Sequence, residues 1–106
     1  MQQKGNIKVG QLWEIKDSKK KYRCLILKCE TIDSEDIIHI SILNNNLEII
    51  TSHMPFSEGS LFESLDFKLT DTFPLGDFEE GYKIWKDEFN KGEAGVYGVK
   101  MASIVG

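Results

Sequence analysis

Apolar and polar positions alternate through the first half of the chain, and short polar stretches interrupt the alternation. Val9 to Lys16 (VGQLWEIK) predicts a strand with Val9, Trp13 and Ile15 on one face. Asp17-Ser18-Lys19-Lys20-Lys21 is a polar turn. Tyr22 to Thr31 (YRCLILKCET) is apolar on both faces at its centre, the pattern of a central strand covered on both sides. After the turn Asp33-Ser34-Glu35-Asp36, the segment Ile37 to Leu43 (IIHISIL) puts Ile38, Ile40 and Ile42 on one face. Asn44-Asn45-Asn46 supplies residues that tolerate the left-handed backbone of a tight hairpin. Leu47 to Met54 (LEIITSHM) returns as a fourth strand, expected to stop before Pro55, which cannot donate a ladder hydrogen bond. The connections are too short for parallel crossovers, so these four strands form an antiparallel meander.

Beyond Pro55 the period changes. Ser57 and Ser60 are both N-cap candidates, the latter with Glu63 three residues on, and predict a short helix from Ser57 to Leu65 weakened by Gly59. Phe67 to Leu75 reads as extended or irregular. In Asp77 to Asn90 (DFEEGYKIWKDEFN), Phe78, Tyr82, Trp85 and Phe89 recur at helical spacing, and Asp77 with Glu80 resembles a capping box. Gly81 interrupts this helix at a cost of about 1 kcal/mol relative to alanine; the simplest compensation is close packing of its backbone on the sheet or on Trp13, and a functional reason is the alternative. Gly92 or Gly95 ends it, and Val96 to Ile104 reads as a last strand closing the sheet. The order β-β-β-β-α-α-β predicts a β-rich α+β fold: a small curled antiparallel sheet or SH3-like barrel with one amphipathic helix packed on it. A flat sheet with helices on one face is the alternative.

At 106 residues the chain fits one domain, with room for a core that needs no metal or disulfide staple. Met1 to Asn6 is polar with no apolar segment after it, and no apolar run approaches the ~20 residues of a membrane span. The expected location is the cytoplasm. Cys24 and Cys29 in one extended strand would lie about 16 Å apart, too far for a disulfide. Charge is distributed unevenly. Residues 1–30 carry eight Lys/Arg against three Asp/Glu, residues 31–80 one against eleven, and residues 81–106 four against three. A central acidic stretch in a chain of net charge −4 favours a basic partner.

Motifs for catalysis are sparse. There is no G-x-S-x-G, glycine-rich phosphate loop or H-E-x-x-H. Cys24 sits among Leu25, Ile26 and Leu27, a setting for a buried thiol, not a nucleophile. His39 and His53 fall on neighbouring predicted strands as diagonal neighbours about 7–8 Å apart, or directly opposite if the hairpin loop is one residue longer. With no third ligand beside them they read as structural or surface histidines. No metal, cofactor or catalytic residue is expected. Lys16, Lys19, Lys20, Lys21 and Arg23, flanked by Trp13 and Tyr22, form a basic hairpin tip able to touch a phosphate backbone, although an acidic chain favours a solvated turn there.

Met54-Pro55-Phe56-Ser57, Gly81-Tyr82 with Trp85 and Phe89, and Gly92-Glu93-Ala94-Gly95-Val96 together resemble a group of small uncharacterised bacterial proteins with SH3-like barrels, some of whose relatives are immunity proteins of bacterial toxin systems. The resemblance covers mainly residues 54–104, and its motifs are structural. It implies a non-catalytic immunity protein that covers the basic cleft of a toxin with acidic surface. The contact residues expected from the acidic stretch are Asp33, Glu35, Asp36, Glu58, Glu63, Asp66 and Asp71. The alternative is a nucleic-acid-binding SH3-like module using the basic hairpin at residues 16–23.

Overall fold

The computed structural model describes residues 7–105; the polar stretch Met1 to Asn6 lies outside them. Its elements are β1 (Leu12–Ile15), β2 (Arg23–Ile32), β3 (Glu35–Leu43), β4 (Ile49–Ser57), α1 (Glu58–Ser64), β5 (Leu65–Thr70), α2 (Glu79–Asn90) and α3 (Ala102–Val105). The strands form one antiparallel sheet in the order β4-β3-β2-β1-β5. The predicted meander is present, with β2 at its centre and covered on both sides. The sheet is open, so the closed SH3-like barrel does not form.

Each face has its own core. Ile38, Ile40 and Ile42 of β3 join Trp13, Ile15, Cys24, Ile26, Met54 and Phe56 on one face, beneath Leu61 of α1 and Met101. Leu12, Leu25, Leu27 and Leu43 make the smaller core of the opposite face with Phe73, Leu75 and Phe78. α2 lies on this second side, where Tyr82 and Trp85 meet His39. Because every residue from Ile37 to Leu43 is buried, this part of β3 has no solvent side, and its polar residues His39 and Ser41 need partners inside the protein.

Several boundaries depart from expectation for local reasons. Val9 is exposed in a turn outside β1, because Gly10 turns the chain at φ +94° while its N–H bonds Ile26 O at 2.9 Å. The left-handed residue of the β3–β4 hairpin is Leu47 (φ +66°), not an asparagine. Asn44 instead uses its side-chain Oδ1 to accept from the N–H groups of Asn46 and Glu48. β4 runs through Pro55, which pairs with His39. The N–H and C=O of a strand residue point to the same edge, and the Pro55 carbonyl points outward to accept from Tyr97 N at 2.9 Å. The missing donor therefore removes no bond to β3.

The expected closing strand at Val96 to Ile104 is absent. Only Tyr97 bridges β4, parallel to Phe56, and the chain then turns into α3. The free edge of β1 is taken by β5 from the segment read as extended or irregular. Both outer strands, β4 and β5, carry register shifts, irregularities that discourage edge-to-edge association.

Ser57 caps α1, its side chain accepting from Ser60 N, and the alternative Ser60–Glu63 box does not form. α2 starts after Phe78 without a side-chain cap, so the Asp77–Glu80 box does not form either. α2 ends at Gly92 (φ +78°), where Gly92 N bonds Phe89 O and Glu93 N bonds Glu88 O, the paired bonds of a Schellman motif. At Gly81 the helix packs on the sheet, but a Cβ there would lie 3.5 Å from His53 Cβ, an ordinary van der Waals contact that does not itself demand glycine. Gly10 is more demanding, since a Cβ would meet Asp71 O at 3.1 Å on a left-handed backbone. Gly10→Ala is therefore expected to lower the unfolding free energy by about 2 kcal/mol, read as a lower urea midpoint with unchanged slope. An unchanged midpoint would show that the 71–73 segment yields freely.

Candidate functional site: a carboxylate–imidazole chain under the long helix

The site begins with a bulge. β2 and β3 pair Ile26 with Ile40 and then Lys28 with His39, so Leu27 is the extra residue on β2. Strict alternation would send Leu25, Leu27 and Cys29 to one face. The bulge switches parity and sends Lys28 and Glu30 to the α2 side instead, the re-aiming that bulges provide. A second register shift, in β4 between Met54 and Thr51, lies beside His53. The two irregularities bring Glu30, His39 and His53 into one row under α2.

Glu30 Oε2 lies 2.5 Å from His39 Nε2, and His39 Nδ1 lies 2.8 Å from His53 Nε2. The histidine rings stack at 5.0 Å between centroids. Glu30 Oε1 accepts from Tyr82 OH at 3.1 Å and from Lys86 Nζ at 3.1 Å. The Tyr82 and Trp85 rings stand edge-on to His39 at 4.9 and 4.8 Å, and Trp85 Nε1 is fixed by Gly95 O. Lys28 Nζ sits 5.2 Å from the centre of the Tyr82 ring.

These contacts fix the tautomers. An ionised Glu30 only accepts, so His39 carries its proton on Nε2 and presents a bare Nδ1. His53 must then donate from Nε2, which leaves its own Nδ1 as a lone pair. Burial lowers the pKa of His39 against the opposing pull of Glu30. Burial, reinforced by His39, lowers His53 to about 4. Burial works to raise the Glu30 carboxyl, but hydrogen bonds from Lys86, His39 and Tyr82 outweigh it and hold the pKa below the usual range. Burial and the Glu30 charge raise the Tyr82 phenol. At neutral pH the pair is uncharged beside a carboxylate that one ammonium balances.

The chain of groups can relay a proton, and neither cysteine takes part in it. Cys24 is wholly buried on the other face, and burial raises its thiol pKa far above the ordinary value. Cys29 is exposed and free, its pKa raised by burial of its sulfur and by Glu58. Among the described residues no three His, Cys, Asp or Glu side chains are arranged to hold a metal ion. Glu30, Lys28 and Lys86 were not singled out in the sequence, where they read as ordinary surface charges.

The seven acidic positions do not form one patch. Asp33, Glu35 and Asp36 are exposed around the β2–β3 turn, and Glu58 opens α1 beside the Ile37–Ser57 pair at the same end of the sheet. Asp36 accepts from Thr31 Oγ1 at 2.6 Å. Glu63 lies further along α1 and lines a groove of about 420 Å³ with Lys16 and Lys100. Asp66 and Asp71 belong to the opposite edge, where Asp71 pairs with Lys68 at 2.8 Å. In the basic hairpin, Lys16, Lys19, Lys20 and Lys21 are exposed, Arg23 donates to Lys21 O, and Lys20 Nζ lies 5.7 Å from the Tyr22 ring centre. Trp13 is buried in the main core and takes no part in that surface.

Together these features define a small α+β protein with an open five-stranded antiparallel sheet and an internal glutamate–histidine–histidine chain beneath its longest helix. No protein-family model, curated protein or solved structure matches the chain. No helix among the described residues is long and apolar enough to cross a membrane.

Proposed function

We propose that this protein is a non-catalytic binding module, most concretely a cytoplasmic immunity protein that neutralises a bacterial toxin by presenting acidic surface to its basic cleft. The observation that carries the reading is the acidic end of the sheet. Asp33 and Glu35 are exposed and carry no ion pair among the described residues, with Asp36 and Glu58 beside them. Unneutralised carboxylates at one end of a rigid hairpin steer a basic partner and orient it as it docks. The titratable groups of the interior, by contrast, bond one another beneath Tyr82 and Trp85. Glu63, Asp66 and Asp71 lie outside this end and contribute long-range field more than contact.

The test is the triple variant Asp33→Asn, Glu35→Gln, Asp36→Asn against a basic toxin domain captured with the wild-type protein. Association at low salt is expected to slow about tenfold, with a shallower dependence on ionic strength. Capture of RNA or DNA instead, released by moderate salt and lost on neutralising Lys19, Lys20 and Lys21, would replace the reading with the nucleic-acid one. An association rate indifferent to the triple change would remove the acidic end from the mechanism.

A further inference from the structure

α2 is seated on a polar chain rather than on a continuous apolar core, and that seat is satisfied while the histidine pair is neutral or singly protonated, not when both rings are protonated. Trp85 is the only residue of α2 that is buried. The helix approaches the sheet where Gly81 meets His53, where Tyr82 and Lys86 bond Glu30, and where Tyr82 and Trp85 pack on His39. The groups facing the histidine pair come from four elements: Lys28 and Glu30 on β2, His39 on β3, His53 on β4, and Tyr82 and Lys86 on α2. Glu79 and Lys83 of α2 line the neighbouring groove with Lys28.

We propose that the Glu30–His39–His53 chain is an acid-release latch for α2: two protons taken up by the histidine pair break its N–H···N bond and free the helix from the sheet. In the neutral pair His53 Nε2–H donates to His39 Nδ1. The first proton adds at the free Nδ1 of His53 and leaves that bond intact. The second has only His39 Nδ1 to go to, and two N–H groups then point at each other across a 2.8 Å gap. Two imidazolium charges would also face Lys28 and Lys86 with Glu30 as the one carboxylate bonded to the cluster. Relief comes from separating the rings, and Tyr82, Lys86 and Gly81 leave with them.

The direction with pH follows from the neutral seat. Both folded-state histidines are harder to protonate than the ordinary 6.5, His53 titrating at about 4. The undocked form therefore binds more protons in this window. Docking is complete above about pH 6.5 and is lost as pH falls toward 4. The sheet, whose main core holds no histidine, outlasts the helix.

Amide hydrogen exchange on the whole chain tests this, read as protection factors so that the intrinsic pH effect cancels. Between about pH 7 and about pH 4.5, α2 amides are expected to lose at least tenfold more protection than those of β2 and β3. The midpoint should coincide with the histidine titration followed by NMR. His53→Gln keeps an N–H for His39 Nδ1, cannot be protonated, and can turn its carbonyl to a protonated His39, so its α2 should stay protected through the same range. Joint loss of protection by α2 and the central strands, α2 protection unchanged while the histidines titrate, or release that persists in a folded His53→Gln variant would each overturn the latch. If that variant does not fold, the wild-type comparison of α2 with the sheet decides alone.

Discussion

Glu30→Gln is expected to lower the unfolding free energy at neutral pH by about 3 kcal/mol, read by urea denaturation. The change keeps the shape of the side chain and removes its charge. Three donors converge on the two carboxylate oxygens, from His39, Tyr82 and Lys86. An amide has one acceptor oxygen, so its NH₂ group must confront at least one of them. Lys86 keeps 30% of its side-chain exposure and turns to water at little cost, whereas His39 has none. The loss therefore falls on the wholly buried imidazole, either as an unpaired N–H or as a forced change of tautomer that passes along to His53. Lys86→Met in the wild-type protein should be far less damaging than Glu30→Gln, as expected of a partly exposed pair. A Glu30→Gln protein within about 0.5 kcal/mol of wild type would mean that the chain contributes no net stability, the result reported by apolar replacement of some buried ionic networks.

The sequence pattern was a sufficient guide to β2, β3 and α2, because β2 carries a continuous apolar run and β3 and α2 a periodic apolar signal, each strong enough to survive local irregularity. Ile38, Ile40 and Ile42 fall on one face as their spacing requires; Phe78, Tyr82 and Trp85 turn toward the sheet, and Phe89 stacks on Trp85. The pattern failed where a strand needs no periodicity of its own. β5 is mostly exposed, and pairing with β1 holds it in place. Val96 to Ile104 has strand-like composition, yet Pro55 removes one outward donor from the edge it would have joined, and only Tyr97 attaches there.

The polar chain was legible only as separate letters. His39 and His53 were placed on adjacent strands and on the same face, which is correct, and the pairing of His39 with Pro55 makes them diagonal. Their direct contact depends on the register shift in β4, and Glu30 reaches His39 only because Leu27 is bulged out of the ladder. A bulge is decided by the fit of two strands, not by either strand's own residues, so a reading that steps by two assigns Glu30 to the wrong face. The aromatic stripe was correctly read as inward-facing, but part of what it covers is a carboxylate and two imidazoles. The half-buried carboxylate of Glu30 in turn explains Lys86, a helix position that an amphipathic pattern assigns to solvent.

Phe56→Ala is expected to be the most damaging single truncation, costing about 4 kcal/mol. Phe56 is the largest wholly buried side chain, and it stands opposite Ile38 in the main core. Its ring also lies 5.3 Å from that of Tyr97, whose backbone bonds to Pro55 and Ser57 are the attachment of the C-terminal segment to β4. Truncation thus removes transfer free energy, leaves a cavity in the main core beside Ile38 and Leu61, and loosens the strap at Tyr97. Phe67→Ala is the matched control: the same chemical change at a ring that is 65% exposed on β5 should cost less than about 0.5 kcal/mol. Urea unfolding of both proteins separates the two contributions at Phe56, since Tyr97→Ala alone should reproduce the strap and not the cavity. Equal losses for Phe56→Ala and Phe67→Ala would refute a core centred on Phe56 and move the weight of the fold toward the β5 edge.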